Sequence, residues 1–505
     1  LNFLEGWIQR APVIIGVGEV VDRPSDLFES REPLDLMAQA LRSADEDAGG
    51  GWLHRLDSLD AVNCVSWGYR DLPSQLCQSL KIQVDRRNYG AIGGDTPILY
   101  LHEAALAIAS GKIATAAVCG AESAHSVACA AKNEISLPWL STAPPPSRPR
   151  REGILHPSVL RHGLTDPLTI YPLYEVALQA DLRESFSEWE NETGQLWSRF
   201  SSVAAKNPQA WSQRSFEPTE IYTVSKTNRR VAGPYTKLMV ANPAVNQGAA
   251  ILLTNFANAK AMGVSDDRLV FVWGGSAASE PSDMAMRDQY ARSSAMTAVL
   301  ATAKASAEQA KEIVFAELYS CFPCVPKMAQ RVLNLPSEKI PTVTGGLTFF
   351  GGPYNNYMTH ATAAMTRCMR GQRSGAGLLY GQGGFLTKHH ALVIATEPPR
   401  SPLVSNYSVQ SQADAARGEI PQIEESFVGN ARIEAYTIVR DREGAPKYGV
   451  FFVRTPSGSR ALARIDDQCA DGLALLLSTQ QLVGKNGKTR MGRDGLLRWE
   501  FESSC

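Results

Sequence analysis

Thr344-Gly-Gly-Leu-Thr-Phe-Phe-Gly-Gly-Pro-Tyr354, followed by the small-residue segment Met358 to Met369, has an echo earlier in the chain. There Gly93-Gly94-Asp-Thr-Pro97 leads into Ile98 to Ser110, and the steps from Gly94 to His102 and from Gly352 to His360 are both eight residues. The repeat predicts two copies of one unit. In each, a glycine pair precedes a proline suited to the first turn of a helix, and glycine lets backbone amides approach a ligand where unpaired helix N–H groups favour an anion. Two such starts facing one cleft would make a site for a developing oxyanion or a thioester carbonyl, with the backbone at Gly94, Asp95, Gly352 and the later Gly384 as candidate donors. Two glycine-rich turns packed against a sheet would read the same way locally.

With 505 residues the chain has room for three or four domain-sized pieces of about 100 to 200 residues each. Its 50 basic and 51 acidic residues cancel, so global charge gives no support to a nucleic-acid or membrane-surface partner. Nine scattered cysteines lack the density of a disulfide framework, which suits a reducing cytoplasm. No apolar run reaches the roughly 18 residues of a membrane span. A soluble cytoplasmic protein is expected.

Working outward from the repeat, Pro12-Val-Ile-Ile-Gly-Val-Gly18, Asp60 to Cys64 and Ala114 to Glu122 read as strands, and Leu34 to Ala48 and Pro73 to Ile82 as helices. A second series follows Gly248 to Thr254. Its strands are Leu269 to Trp273, Ile313 to Leu318, Gly377 to Gly381 and Ala391 to Ala395, and its helices are Ala295 to Ala307 and Val325 to Leu333. The order matches that of the first half, giving a duplicated βαβαβαββ plan of α/β class. Residues 125–245 break the rhythm and read as an insertion over one end of the sheet, where ligands bind in open α/β folds. Its cations Arg148, Arg150, Arg151, Lys226, Arg229 and Arg230 could hold phosphates, although a charge run is more often a solvated face.

Gly93 to Glu122, Asn242-Pro-Ala-Val-Asn-Gln-Gly-Ala-Ala250, Glu317-Leu-Tyr-Ser-Cys-Phe322, Gly345 to Pro353 and Tyr380-Gly-Gln-Gly-Gly384 together resemble the thiolase superfamily, most closely its sterol-carrier-protein type. The resemblance implies a five-layered thiolase fold of two sheets around central helices, with the insertion as a loop domain that holds coenzyme A. An acyl-CoA is then the implied ligand, and no covalently bound cofactor is expected. The implied catalytic residues are mostly lost. Gly94 stands at the place of the Cys nucleophile and Gly352 at that of the Gly-His-Pro histidine. Tyr319 falls where the His-Asp-Cys-Phe motif has its His, Cys321 keeps that motif's Cys, and Tyr380 falls near the late Cys-x-Gly cysteine. An acyl-enzyme needs a thiolate and a partnered base, so thiolysis and Claisen condensation are not expected. A retro-aldol cleavage of a β-hydroxyacyl-CoA needs a base and donors for the enolate, roles open to Tyr319, Tyr380 and Cys321. Some thiolase-fold proteins that cleave steroid side chains resemble this. The other reading is a non-catalytic acyl-CoA binder or complex subunit. Cys321-Phe-Pro-Cys324 lacks the second pair of a zinc site, so no metal is expected.

The remaining 398–425 reads as a linker and 426–505 as a meander of short strands, a small antiparallel barrel like the oligonucleotide-binding type. Few aromatics mark a base-stacking face, so packing on the body is favoured over nucleic acid. A thiolase-like body with a barrel tail and these motif losses resembles the actinobacterial thiolase-like proteins of type 1. The domain plan is therefore 1–124 with 246–267, the insertion 125–245, the second half 268–397, the linker and the barrel. The family's dimer strand is polar here, at Asp85 to Gly90, so a monomer or weak dimer is expected.

Overall fold

The apolar run at Pro12 becomes β1 (Pro12–Val21), buried on both faces, and with it begins a sheet that spans the body. A computed structural model describes residues 3–140, 153–466, 470–478 and 481–502. The first half supplies β1, β2 (Ser58–Ala61), β3 (Arg86–Tyr89) and β4 (Thr115–Ser123). The insertion holds a small ribbon, β5 (Arg230–Ala232) with β6 (Tyr235–Thr236), before β7 (Asn246–Asn255) completes the half. The second half supplies β8 (Val270–Ser279), β9 (Ile313–Glu317), β10 (Ala376–Gly383) and β11 (Lys388–Ala395).

Strand order is β3-β2-β4-β7-β1-β8-β11-β10-β9, and the halves join where Val13 and Ile14 face Phe271 and Val270. Helix Thr96–Ala109 and helix Tyr357–Gln372, the two repeats of the glycine motif, pack on each other and on strands from both halves. Helix Pro33–Asp47 covers the far face of the first half and helix Ser294–Gln309 that of the second, which makes five layers. Close approach of the first outer helix explains two glycines of β1, since a Cβ at Gly16 or Gly18 would meet the Ala44 or Ala40 backbone.

The second half has one strand fewer than the duplicated plan. Where the first half places β3, the second has residues 340–344 without a strand, and their amides go elsewhere. The buried Glu317 carboxylate accepts from Val343 N at 2.9 Å and from Thr344 N at 3.3 Å. A side chain thus satisfies donors that a ladder would have used.

Residues 398–425 are more than a tether. Val409 N donates to Ala277 O at 2.9 Å, and helix Gln410–Ala416 packs on helix Ser294–Gln309 with Ala413 fully buried. β12 (Gly429–Arg440), β13 (Pro446–Arg454), β14 (Arg460–Asp466), β15 (Asn486–Met491) and β16 (Leu497–Phe501) close a barrel in the order β12-β13-β14-β16-β15. All its pairings are antiparallel except β14 with β16, which run parallel because helix Ala470–Leu477 and β15 intervene. The barrel packs on the body: Phe452 meets Tyr290 edge-on at 5.5 Å, and Arg460, fully buried, donates to Arg287 O at 2.8 Å while pairing with Glu434. No helix among the described residues is long and apolar enough to cross a membrane.

Candidate functional site

Gly94 sits at the start of the first central helix, and the space a side chain would need there is taken. A Cβ built on Gly94 would collide with the Tyr319 hydroxyl and crowd Gln382 O at 2.6 Å. The tyrosine reaches this place because its backbone adopts φ 46°, a left-handed conformation that costs a non-glycine residue on the order of 1 kcal/mol or more. Its ring stands edge-on to Tyr357 at 5.7 Å, and its hydroxyl makes no hydrogen bond among the described residues. Burial, with Cys321 and Asp95 adding to it, holds the phenol well above its ordinary value. A phenol held protonated can donate a hydrogen bond but is a poor base.

The other two predicted side chains do not reach this point. A Cβ at Gly377 would meet Met365 and Met369 of the second central helix and one at Gly381 would meet Met358, so the alternate residues Tyr380 and Gln382 face the opposite side of β10. Tyr380 is fully buried there, its hydroxyl 2.7 Å from His389 Nδ1. His389 Nε2 lies 3.3 Å from Ser293 Oγ, which donates to Glu280 at 2.6 Å. Burial raises the Glu280 carboxyl, but Arg287, Ser293 and the Ala295 amide outweigh it and bring it down to about 2. An ionised Glu280 has no proton to give, so the serine donates to it, His389 donates from Nε2 and Tyr380 donates to Nδ1. Burial pushes His389 down to about 3, which keeps the ring neutral. Tyr380 is thus pinned in a closed network.

Cys321 is held on that same side. Gln382 Nε2 reaches Cys321 Sγ at 3.1 Å and Tyr171 Oη at 2.9 Å, and the Tyr171 ring stacks on Phe322 at 4.2 Å. Burial pushes the Cys321 thiol up to about 12, so it stays protonated at neutral pH. Its neighbour Cys324 turns instead toward Tyr235, at 3.8 Å.

The backbone donors also sort apart. Gly352 N–H, at the second helix start, donates to Asn242 O at 2.8 Å, which removes it as an oxyanion donor. Gly93 N–H donates to Asn355 Oδ1 at 3.0 Å, and Asn356 donates to Gly120 O at 2.7 Å, so the two starts are tied together. Gly384, with φ 67°, serves the turn between β10 and β11, where Thr387 N donates to Gly383 O. Asp95 stands out for its side chain more than for its amide. Its Oδ1 is buried without a partner, packed where a Cβ on Gly93 or Gly383 would lie, and burial raises its carboxyl while Lys388 opposes the rise.

Of the predicted phosphate-binding cations, Arg148, Arg150 and Arg151 lie outside the described residues. Arg230 is engaged, donating to Pro234 O at 2.6 Å and pairing with Glu190 at 3.4 Å, and Arg229 donates to Arg230 O at 3.2 Å. Their backbone also supports the barrel hairpin at Gly444. Lys226 is exposed.

From the sequence, His102 and His360 read as core or interface residues, and His389-His390 as the start of an apolar strand with no evident partner. His389 and His390 follow each other on a strand covered on both faces, so one turns to Tyr380 and the other to His102, at 3.0 Å. Burial pushes His102 down to about 4. His360, at the equivalent place in the second repeat, instead meets the Glu19 carboxylate at 2.7 Å. Burial alone would raise Glu19, but His360 and Arg367 outweigh it and hold the acid below its ordinary value. The His-His doublet in an apolar strand was the available signal.

Residues 409–494 match the family described as thiolase-like protein type 1 additional C-terminal domain. No curated protein matches the chain. Among solved structures, the monomeric SCP2-thiolase like protein type 1 from Mycobacterium smegmatis is 26% identical with a TM-score of 0.82, over 98% of this chain and 99% of that one. The Ltp2-ChsH2(DUF35) aldolase (16% identity, TM-score 0.59, 77% of this chain and 98% of that one) and human mitochondrial 3-ketoacyl-CoA thiolase in complex with CoA (12%, 0.53, 77% and 98%) share the fold.

Proposed function

On the premise of a thiolase fold that carries the additional C-terminal domain of thiolase-like proteins of type 1, we propose that this protein binds an acyl-CoA without transferring the acyl group to itself. One observation carries the reading: at Gly94 the space of a nucleophile's side chain is taken by the Tyr319 phenol. With glycine at 352 as well, neither the thiolate nor its base is present. The CoA ligand rests on the fold shared with a thiolase bound to CoA and on the loop-domain insertion with its exposed Lys226. A monomer, like the Mycobacterium smegmatis relative, agrees with the polar, half-exposed β3 at the sheet edge.

A second reading is favoured by Asp95. A buried carboxyl with one oxygen unpartnered, near a phenol that makes no hydrogen bond among the described residues, suits cleavage of a β-hydroxyacyl-CoA: the carboxylate takes the hydroxyl proton, the Cα–Cβ bond breaks, and its electron pair enters an enolate that accepts a hydrogen bond from Tyr319. The enolate then takes a proton at carbon, and an aldehyde or ketone leaves.

Calorimetric titration with CoA, acetyl-CoA and a long-chain β-hydroxyacyl-CoA tests both. Saturable binding with no acylated protein in the mass spectrum supports the binder. A covalently acylated chain, or no binding of any CoA compound, overturns it. Release of a carbonyl product that is lost in Asp95→Asn and Tyr319→Phe establishes the lyase.

A further inference from the structure

A cavity of about 590 Å³ lies away from the helix starts, between loop-domain helix Phe186–Ala205 and the second central helix. Its volume falls within the roughly 300 to 1,000 Å³ typical of small-molecule sites. The loop-domain helix lines it with one face, through Arg199, Ser202, Val203 and, just past its end, Lys206. Arg367 faces it from ten residues along the second central helix, about 15 Å from that helix's first residue. Ile340 and Val343 complete it from the segment that stands in for the missing strand, and with Val203 and Ala364 they make its surface apolar.

The charge of the lining is one-sided. Arg199, Lys206 and Arg367 are cationic, and no lining residue is acidic. Arg199 spends one amine on the neutral Ser337 O, at 2.7 Å, and Lys206 is exposed. Arg367 pairs with the buried Glu19, yet its side chain remains 45% exposed. The Glu19 side chain is fully buried and does not line the cavity. An apolar trough ringed by three cations has an obvious complement.

We propose that this cavity binds an amphipathic anion, a linear alkyl chain laid along Val203, Ile340, Val343 and Ala364 with a carboxylate or phosphate head among Arg199, Lys206 and Arg367. The proposal is independent of the CoA reading, and none of the residues to be changed contributes to the site at Gly94.

The test is calorimetry on the full chain with decanoate, dodecanoate, dodecyl phosphate, 1-dodecanol and inorganic phosphate, below micelle-forming concentrations. Dodecanoate or dodecyl phosphate should bind once per chain, and two further methylenes should tighten the carboxylate on the order of tenfold. The tighter of the two head groups identifies the source. Arg199→Gln with Lys206→Gln should weaken binding at least tenfold, and Val203→Trp should abolish it, with Ser202→Trp as a second block should the first variant fail to fold. No saturation by either anion overturns the proposal. So does dodecanol binding as tightly as dodecanoate, inorganic phosphate binding as tightly as its dodecyl ester, or affinity unchanged in both blocking variants.

Discussion

The two repeats carry the same glycine and the same histidine eight residues later, but for different reasons. At Gly94 a side chain would strike Tyr319, whereas at Gly352 the nearest atoms to a built Cβ are 3.4 to 3.5 Å away, an ordinary contact. His102 shares its burial with another neutral histidine, and His360 with a carboxylate. Internal symmetry has been kept in the backbone and spent in the side chains. At the first helix start the space beside the glycine is closed, and at the second it holds only ordinary contacts.

The largest expected effect tests that contrast. Gly94→Cys should cost about 3 kcal/mol in denaturant unfolding, through overpacking against a ring that is fixed by its own backbone, while Gly352→Ala should stay within about 1 kcal/mol. Equal costs would mean the two starts are alike after all. Next, His360→Leu should cost about 3 kcal/mol, because Glu19 would be left buried with Arg367 as its remaining charged partner.

The histidines also separate by pH. His102 falls from an ordinary 6.5 to about 4, so the unfolded chain binds its proton first and stability should drop as pH falls from 6.5 toward 4, by up to about 1.4 kcal/mol per pH unit. Glu19 is lowered below 4.5, so its contribution is present above that value and lost only as pH falls further, through its folded pKa. A melting-temperature series should show His102→Gln flattening the upper window and Glu19→Gln the lower. A single common slope would merge what the structure keeps apart. The smallest effects come from the tyrosines. Tyr380→Phe should cost about 1 to 2 kcal/mol by stranding His389 Nδ1, and Tyr319→Phe less than about 0.5 kcal/mol, because no hydrogen bond is lost.

What could be read in advance followed from periodicity. Glycine pairs, prolines and apolar runs announced both halves, the insertion and the barrel, since backbone punctuation is local. Tyr380 was a different matter. A shift of one residue turns a strand side chain to the other face, and nothing local says whether residue 380 or 381 looks toward the central helices. Arg230 read as a free cation because its partner, Glu190, is 40 residues away. Helix Gln410–Ala416 was hidden among prolines and polar residues, its position set by a buried Ala413 against helix Ser294–Gln309. The lost strand was equally invisible, because a carboxylate from β9 does a ladder's work.

Arg460 of the barrel donates to the main-chain carbonyls of Ala285 and Arg287, and Arg287 is the buried cation that keeps Glu280 ionised behind His389 and Tyr380. The tail is thereby a keystone, not cargo on a tether. Exchanging it between relatives, or trimming it for convenience of expression, would reach the interior of the body through two arginines.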